Sequence, residues 1–141
     1  MFVAYIDGGS RGNPGPAGFG VRIENPDGTV CAELKGTLGI ATNNVAEYRG
    51  LIAALTYFVG AGHSHILIKS DSQLLIRQMT GRYRVRHPNL QPLHREAQTL
   101  LEKLERVDFE HVPRTSNTDA DRLANQAMDE SQAADSTDPV I

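Results

Sequence analysis

The chain of 141 residues has a single cysteine, Cys31, so no internal disulfide can form. That fits a reducing compartment and leads us to expect a cytoplasmic protein. No apolar run approaches the roughly 18 residues a membrane span requires. A secretory leader is also missing: Met1-Phe2-Val3-Ala4-Tyr5-Ile6-Asp7 has no basic start and reaches a carboxylate at once. A strong positive charge is absent too. The net charge of −3 argues against a general nucleic-acid coat protein, whose affinity comes from neutralising phosphates. Distribution matters more than the sum. Lys69, Arg77, Arg82, Arg84 and Arg86 gather in mid-chain, while Asp129 to Ile141 is acidic and small, so a basic face on an acidic body is open.

What is present suits one soluble domain: 40% hydrophobic and 22% charged residues, in a length that buries a core without staples. Phe2 to Ile6 reads as a strand, with a turn at Asp7-Gly8-Gly9-Ser10. Phe19 to Glu24 and Thr29 to Thr37 read as strands around the hairpin signal Asn25-Pro26-Asp27-Gly28. Thr42-Asn43-Asn44 can cap a helix running to about Phe58. A strand at His65 to Ser70 and a helix at Ser72 to Thr80 follow, then a basic connector, Arg82 to His87. Asn89 to Leu104 carries Leu93, Ala97, Leu100, Leu101 and Leu104 on one helical stripe. Val107 to Val112 reads as the last strand and Asn117 to Met128 as the last helix. Residues 1–130 are the expected catalytic domain and 131–141 a flexible tail. The order β-β-β-α-β-α-α-β-α implies a mixed sheet flanked by helices, in the α/β class.

Four acids stand out against this frame. Asp7 and Asp71 each end an apolar strand, and ligands collect outside the carboxyl ends of strands in α/β sheets. If those strands are parallel neighbours, the two acids lie side by side. Glu47 shares a stripe with Leu51 and Leu55, and Asp121 borders the stripe of Ala120, Leu123, Ala124, Ala127 and Met128. Taken singly, each has a bland reading, as a turn cap or a snorkelling side chain. Taken together, four carboxylates aimed at one place cannot all stay ionised without a cation. All-oxygen ligation suits Mg²⁺ or Mn²⁺, and a pair of such ions can drive phosphodiester hydrolysis.

The segments carrying these acids resemble a known family. Asp7-Gly8-Gly9-Ser10-Arg11-Gly12-Asn13-Pro14-Gly15-Pro16-Ala17-Gly18 is similar to the opening motif of type 1 ribonuclease H. Thr42-Asn43-Asn44-Val45-Ala46-Glu47 resembles its first helix start, and Ser70-Asp71-Ser72-Gln73 its third motif. His111-Val112-Pro113-Arg114 with Asn117 and Ala120-Asp121-Arg122-Leu123-Ala124 resembles its last. The motifs fall in family order from about Val3 to Met128.

The resemblance implies a ribonuclease H-like five-stranded mixed sheet. It implies that Asp7, Glu47, Asp71 and Asp121 bind two Mg²⁺ ions with the substrate, Mn²⁺ substituting. The implied reaction cuts the RNA strand of an RNA–DNA hybrid, leaving 5′-phosphate and 3′-hydroxyl ends. Gly9, Ser10, Asn13, Asn43, Asn44 and Gln73 occupy positions that contact backbone or minor groove, as reading a 2′-hydroxyl requires. For the two asparagines, plain helix capping is the competing role.

Two departures bear on substrate. Arg114-Thr115-Ser116 replaces a Gly-His loop found in many bacterial members; Arg114 can touch phosphate but cannot shuttle protons near neutral pH. Gly81 to Pro88 replaces a long basic protrusion, with Arg82, Arg84 and Arg86 as its phosphate-contacting remnant. Asn117 joins the expected substrate-binding set. Members of this short form also include cutters of double-stranded RNA, so that substrate stays open. Three other readings remain: a non-cutting binding module; another nuclease of the wider fold, such as an integrase, junction nuclease or exonuclease; and a domain released from a reverse transcriptase. Met1 just before the first strand favours a free-standing protein or an N-terminal domain. The five histidines show no metal-ligand spacing, Cys31 reads as packing, Tyr83 as packing or a stacking platform, and a monomer is expected.

Overall fold

The computed structural model describes residues 1–63 and 65–135. Ten elements follow the expected order with one 3₁₀ turn added: β1 (Phe2–Ser10), β2 (Gly15–Glu24), β3 (Val30–Ala41), α1 (Asn43–Ala61), β4 (His65–Ser70), α2 (Gln73–Met79), α3 (Gln91–Leu101), β5 (Arg106–His111), the turn Arg114–Ser116, and α4 (Thr118–Asp135). The five strands form one sheet in the order β3-β2-β1-β4-β5. β1, β2 and β3 pair antiparallel, whereas β1–β4 and β4–β5 are parallel.

Pleat alternation sorts the two faces. Ala4, Ile6, Ile66 and Ile68 point to one face and are fully buried with Leu51, Leu55 and Phe58 of α1. α4 covers the other face across β1, β2 and β3. Both helices press close because the strands carry glycine where they cross. A Cβ on Gly8 would sit 2.3 Å from the Ala46 carbonyl carbon in α1. One on Gly20 would sit 2.4 Å from the Ala120 carbonyl oxygen in α4.

These crossings correct three expected boundaries. β1 does not turn at Asp7 but runs on to Ser10; β2 begins at Gly15 rather than Phe19; β3 reaches Ala41 rather than Thr37. The glycines that look like turn signals lie within the ladder, with Gly8 opposite Phe19 and Gly9 opposite Gly18. Residues 131–135 of the expected tail are helical instead. α4 continues past Met128 to Asp135, and Ser131 is buried, donating to the Ala17 carbonyl and accepting from the Leu38 amide. Residues 136–141 of that expected tail lie outside the described residues. No helix among the described residues is long and apolar enough to cross a membrane.

Candidate active site

β4 ends at Ser70 while β1 continues four residues further beside β2, so a crevice opens between β1 and β4. Ile6 pairs with Ser70, and Asp7 and Asp71 follow that pair on the same pleat phase. The parallel register thus sets the two acids side by side. Glu47 enters from α1 one turn before Leu51, where Gly8 has no side chain to hold the helix away. Asp121 enters from the first turns of α4 and lines the same cleft.

Carboxylate oxygens of Asp7, Glu47 and Asp71 all lie within 4.8 Å of one another. Asp7 is 7% exposed and Glu47 9% exposed. Glu47 Oε2 and Asp71 Oδ2 are buried without a hydrogen-bond partner among the described residues. Burial, then the charges of Asp71 and Asp121, push the Asp7 carboxyl up to about 7, against a smaller pull from the Gly8 amide. Glu47 is pushed well above the usual carboxylate range by burial first, then by Asp7 and Asp71. Crowded acids with orphaned oxygens cost free energy unless a cation joins them. Hard oxygen donors at this spacing fit a small divalent ion such as Mg²⁺ or Mn²⁺.

Around the acids, hydrogen bonds fix the cleft wall. The Ser10 amide donates to Asn43 Oδ1 at 2.7 Å, and the Asn43 amide to Asn13 Oδ1 at 2.9 Å. Neither Asn43 nor Asn44 is the cap of α1. Thr42 is, its hydroxyl accepting from the Val45 amide, which leaves Asn44 exposed on the cleft rim.

The cleft, about 700 Å³, is lined by Gly9, Ser10, Asn43, Asn44 and Arg114 as well as the four acids. Of the remaining expected contact residues, Asn13, Arg84 and Arg86 line an adjoining groove of about 310 Å³ that shares Asn44 with the cleft. Gln73 and Arg82 lie on the other side of α2. Arg82, Arg84, Arg86 and Arg114 have no ion-pair partner among the described residues, whereas Arg11, Arg22, Lys35 and Arg122 are paired with acids.

Asn117 is the correction within this set. It is 1% exposed. Its side-chain amide donates to the Ile6 carbonyl at 2.9 Å, and its backbone carbonyl accepts from the Asp121 amide at 3.0 Å as α4 begins. It ties the strand bearing Asp7 to the helix bearing Asp121. Arg11, Ser72, Asn125 and Met128 also line the cleft and had not been singled out for it. The four-residue step from Asp121 to Asn125 is the signal that would have found one of them.

Residues 5–127 match the reverse transcriptase-like family. A bifunctional protein of Mycobacterium tuberculosis is 53% identical over 137 residues, covering 94% of this chain and 38% of that protein. Ribonuclease HI of Halobacterium salinarum is 45% identical over 127 residues, 90% of this chain and 64% of that protein. The chain therefore spans less than two thirds of either relative. Among solved structures, the N-terminal ribonuclease H domain of the mycobacterial protein superposes with a TM-score of 0.92 at 50% identity, covering 96% of this chain and 98% of that one. A ribonuclease H1 from compost, LC11, solved with an RNA/DNA hybrid, gives 0.89 at 37% identity, covering 94% and 99%.

Proposed function

The chain belongs to the reverse transcriptase-like, ribonuclease H-like family, and from that premise we propose that it hydrolyses the RNA strand of RNA–DNA hybrids by two-metal-ion catalysis, leaving 5′-phosphate and 3′-hydroxyl ends. The observation that carries this reading is the acid cluster: three carboxylates within 4.8 Å, two with buried oxygens that nothing among the described residues satisfies. Asp7, Glu47 and Asp71 would hold the ions, with Asp121 completing the set from α4. When bound, the divalent ions lower the pKa of the attacking water and offset charge on the phosphate and the leaving oxygen.

The chain's own residues do the rest. The strand–helix brace through Ser10, Asn43 and Asn13 holds polar groups and bare backbone at the cleft wall. Short groups of this kind can read a 2′-hydroxyl in a wide, shallow groove. Asn44 joins that wall to the groove of Arg84 and Arg86, whose free guanidinium groups suit the phosphates of the second strand. Arg114, which lines the cleft, would contact a phosphate there. The relatives with ribonuclease H names and the hybrid held by LC11-RNase H1 support this substrate.

A panel of labelled RNA–DNA hybrid, double-stranded RNA, double-stranded DNA and single strands, in Mg²⁺ and in Mn²⁺, tests the reading. Cutting of the RNA strand of the hybrid is the expected result. Cutting of double-stranded RNA as well would widen the substrate range at the same site. Binding of the hybrid without cutting in either metal would leave a binding module in place of a nuclease.

A further inference from the structure

α2 divides the surface beside the acids. Its Leu74 and Gln78 side borders the groove of Asn44, Arg84 and Arg86. Its opposite side, facing β5, borders a separate cavity of about 300 Å³. We propose that this second cavity is a binding site for one unpaired ribonucleotide of the cut strand, frayed from the hybrid, with its phosphate on Arg77 and Arg82 and its base against Phe109 and Ile76. The proposal rests on the nuclease reading for the identity of the strand.

The sequence builds this cavity through a tight reversal. Gly81 takes a left-handed φ of 79°, which L side chains rarely adopt. The chain then folds back, so the amides of Arg82 and Tyr83 both donate to the Arg77 carbonyl, at 2.8 and 3.1 Å. Arg82 is thereby set beside the last turn of α2, next to Arg77. The Arg77 guanidinium donates to the Tyr83 hydroxyl at 2.7 Å and lies 5.2 Å from that ring's centroid. Neither arginine has a carboxylate partner among the described residues. Glu110 alternates to the other face of β5, where it pairs with Lys69. Two uncompensated guanidinium groups, that of Arg77 held by Tyr83, suit a phosphate.

The remaining lining distinguishes a nucleotide from a bare anion. Phe109 and Ile76 supply an apolar floor, and aromatic rings are platforms for unpaired bases. Gln73 adds an amide. His111 Nε2 lies 3.2 Å from the Asp71 carbonyl oxygen, which only accepts, so Nε2 is the donor and Nδ1 is the ring's remaining polar atom. That contact also fixes the location: the cavity wall touches the backbone of a cleft acid. A nucleotide seated here is a close neighbour of the phosphate at the acids.

The test is a titration of the whole ¹⁵N-labelled chain with 5′-phosphorylated diuridylate in the absence of divalent metal, followed by amide shifts. It needs no turnover, so it succeeds or fails independently of hybrid cleavage. We expect saturable shifts at Gln73, Arg82 and His111. Affinity should weaken about tenfold in Arg77→Gln/Arg82→Gln, as loss of two charge-assisted contacts implies, and change less than about twofold in Arg95→Gln/Arg106→Gln, which line neither this cavity, the cleft nor the adjoining groove. Arg82→Gln alone, at an exposed position, gives the same direction should the Arg77–Tyr83 link prove necessary for folding. Shifts confined to the Asn44 side, equal losses in both double variants, no shifts at all, or inorganic phosphate binding as tightly as the dinucleotide would each overturn the assignment.

Discussion

Asp7→Asn should make the metal-free protein more stable while disabling the site. Burial and neighbouring acids lift Asp7 from 3.8 to about 7 in the folded state. At about 1.4 kcal/mol per pH unit, this penalises the charged form by about 4 kcal/mol. Relaxation and water entry reduce such penalties in practice, so we expect a gain of about 1–3 kcal/mol in the asparagine variant. The pH dependence follows from the direction of the shift. A carboxyl whose folded pKa is raised carries no penalty below about pH 4, where it is protonated in both states. The penalty grows as pH rises toward 7 and is complete above it. Thermal unfolding in EDTA should therefore show Asp7→Asn more stable than wild type at pH 8, by roughly 3–10 °C in Tm, and by about a quarter of that at pH 4.5. Saturating Mn²⁺ should reverse the order by stabilising wild type, by about 2.7 kcal/mol at a hundred times Kd. A variant less stable than wild type at pH 8 in EDTA would refute the reasoning, because Asp7 would then be satisfied without a cation.

Asn117→Ala removes the hydrogen bond to the Ile6 carbonyl and should cost about 1–3 kcal/mol in urea; kcat should fall with KM little changed, since no substrate contact is lost. Gly20→Ala puts a Cβ 2.4 Å from the Ala120 carbonyl oxygen and 2.5 Å from Leu123 Cβ. α4 must then shift and carry Asp121 with it, costing about 1–3 kcal/mol and roughly tenfold or more in kcat. Arg84→Gln/Arg86→Gln should raise the KM for hybrid and reduce the slope of log Kd against log salt by about 2, with kcat nearly constant.

Periodicity and turn chemistry made the element order legible, and the acids stood out because carboxylates at strand ends and on apolar stripes need a reason. The adjacency of Asp7 and Asp71 followed once their strands were parallel. Glycine defeated the strand boundaries. Gly8, Gly9, Gly18 and Gly20 serve helix–sheet approach, not turning, and one chain's local sequence does not separate those uses. Asn117 was misassigned for a related reason. A polar residue in an acid-bearing motif looks the same whether it faces substrate or braces the backbone, and only its burial tells them apart. Ser131 lies in an acidic, small-residue stretch that reads as frayed, yet its hydroxyl bridges β2 and β3. Arg82 shares a short basic stretch with Arg84 and Arg86, but α2 stands between them. The partition depends on the helical reversal at Gly81 rather than on spacing along the chain.

The central claim is that the acid cluster cuts RNA within a hybrid. The most direct measurement follows a hybrid labelled at the 5′ end of its RNA, with Mg²⁺ or with EDTA, using wild type and Asp7→Asn, and identifies the product ends. The account predicts RNA fragments ending in 3′-hydroxyl and beginning with 5′-phosphate, formed by wild type only with metal and lost in Asp7→Asn. Cutting in EDTA, cutting undiminished in Asp7→Asn, or fragments ending in a cyclic 2′,3′-phosphate would contradict it.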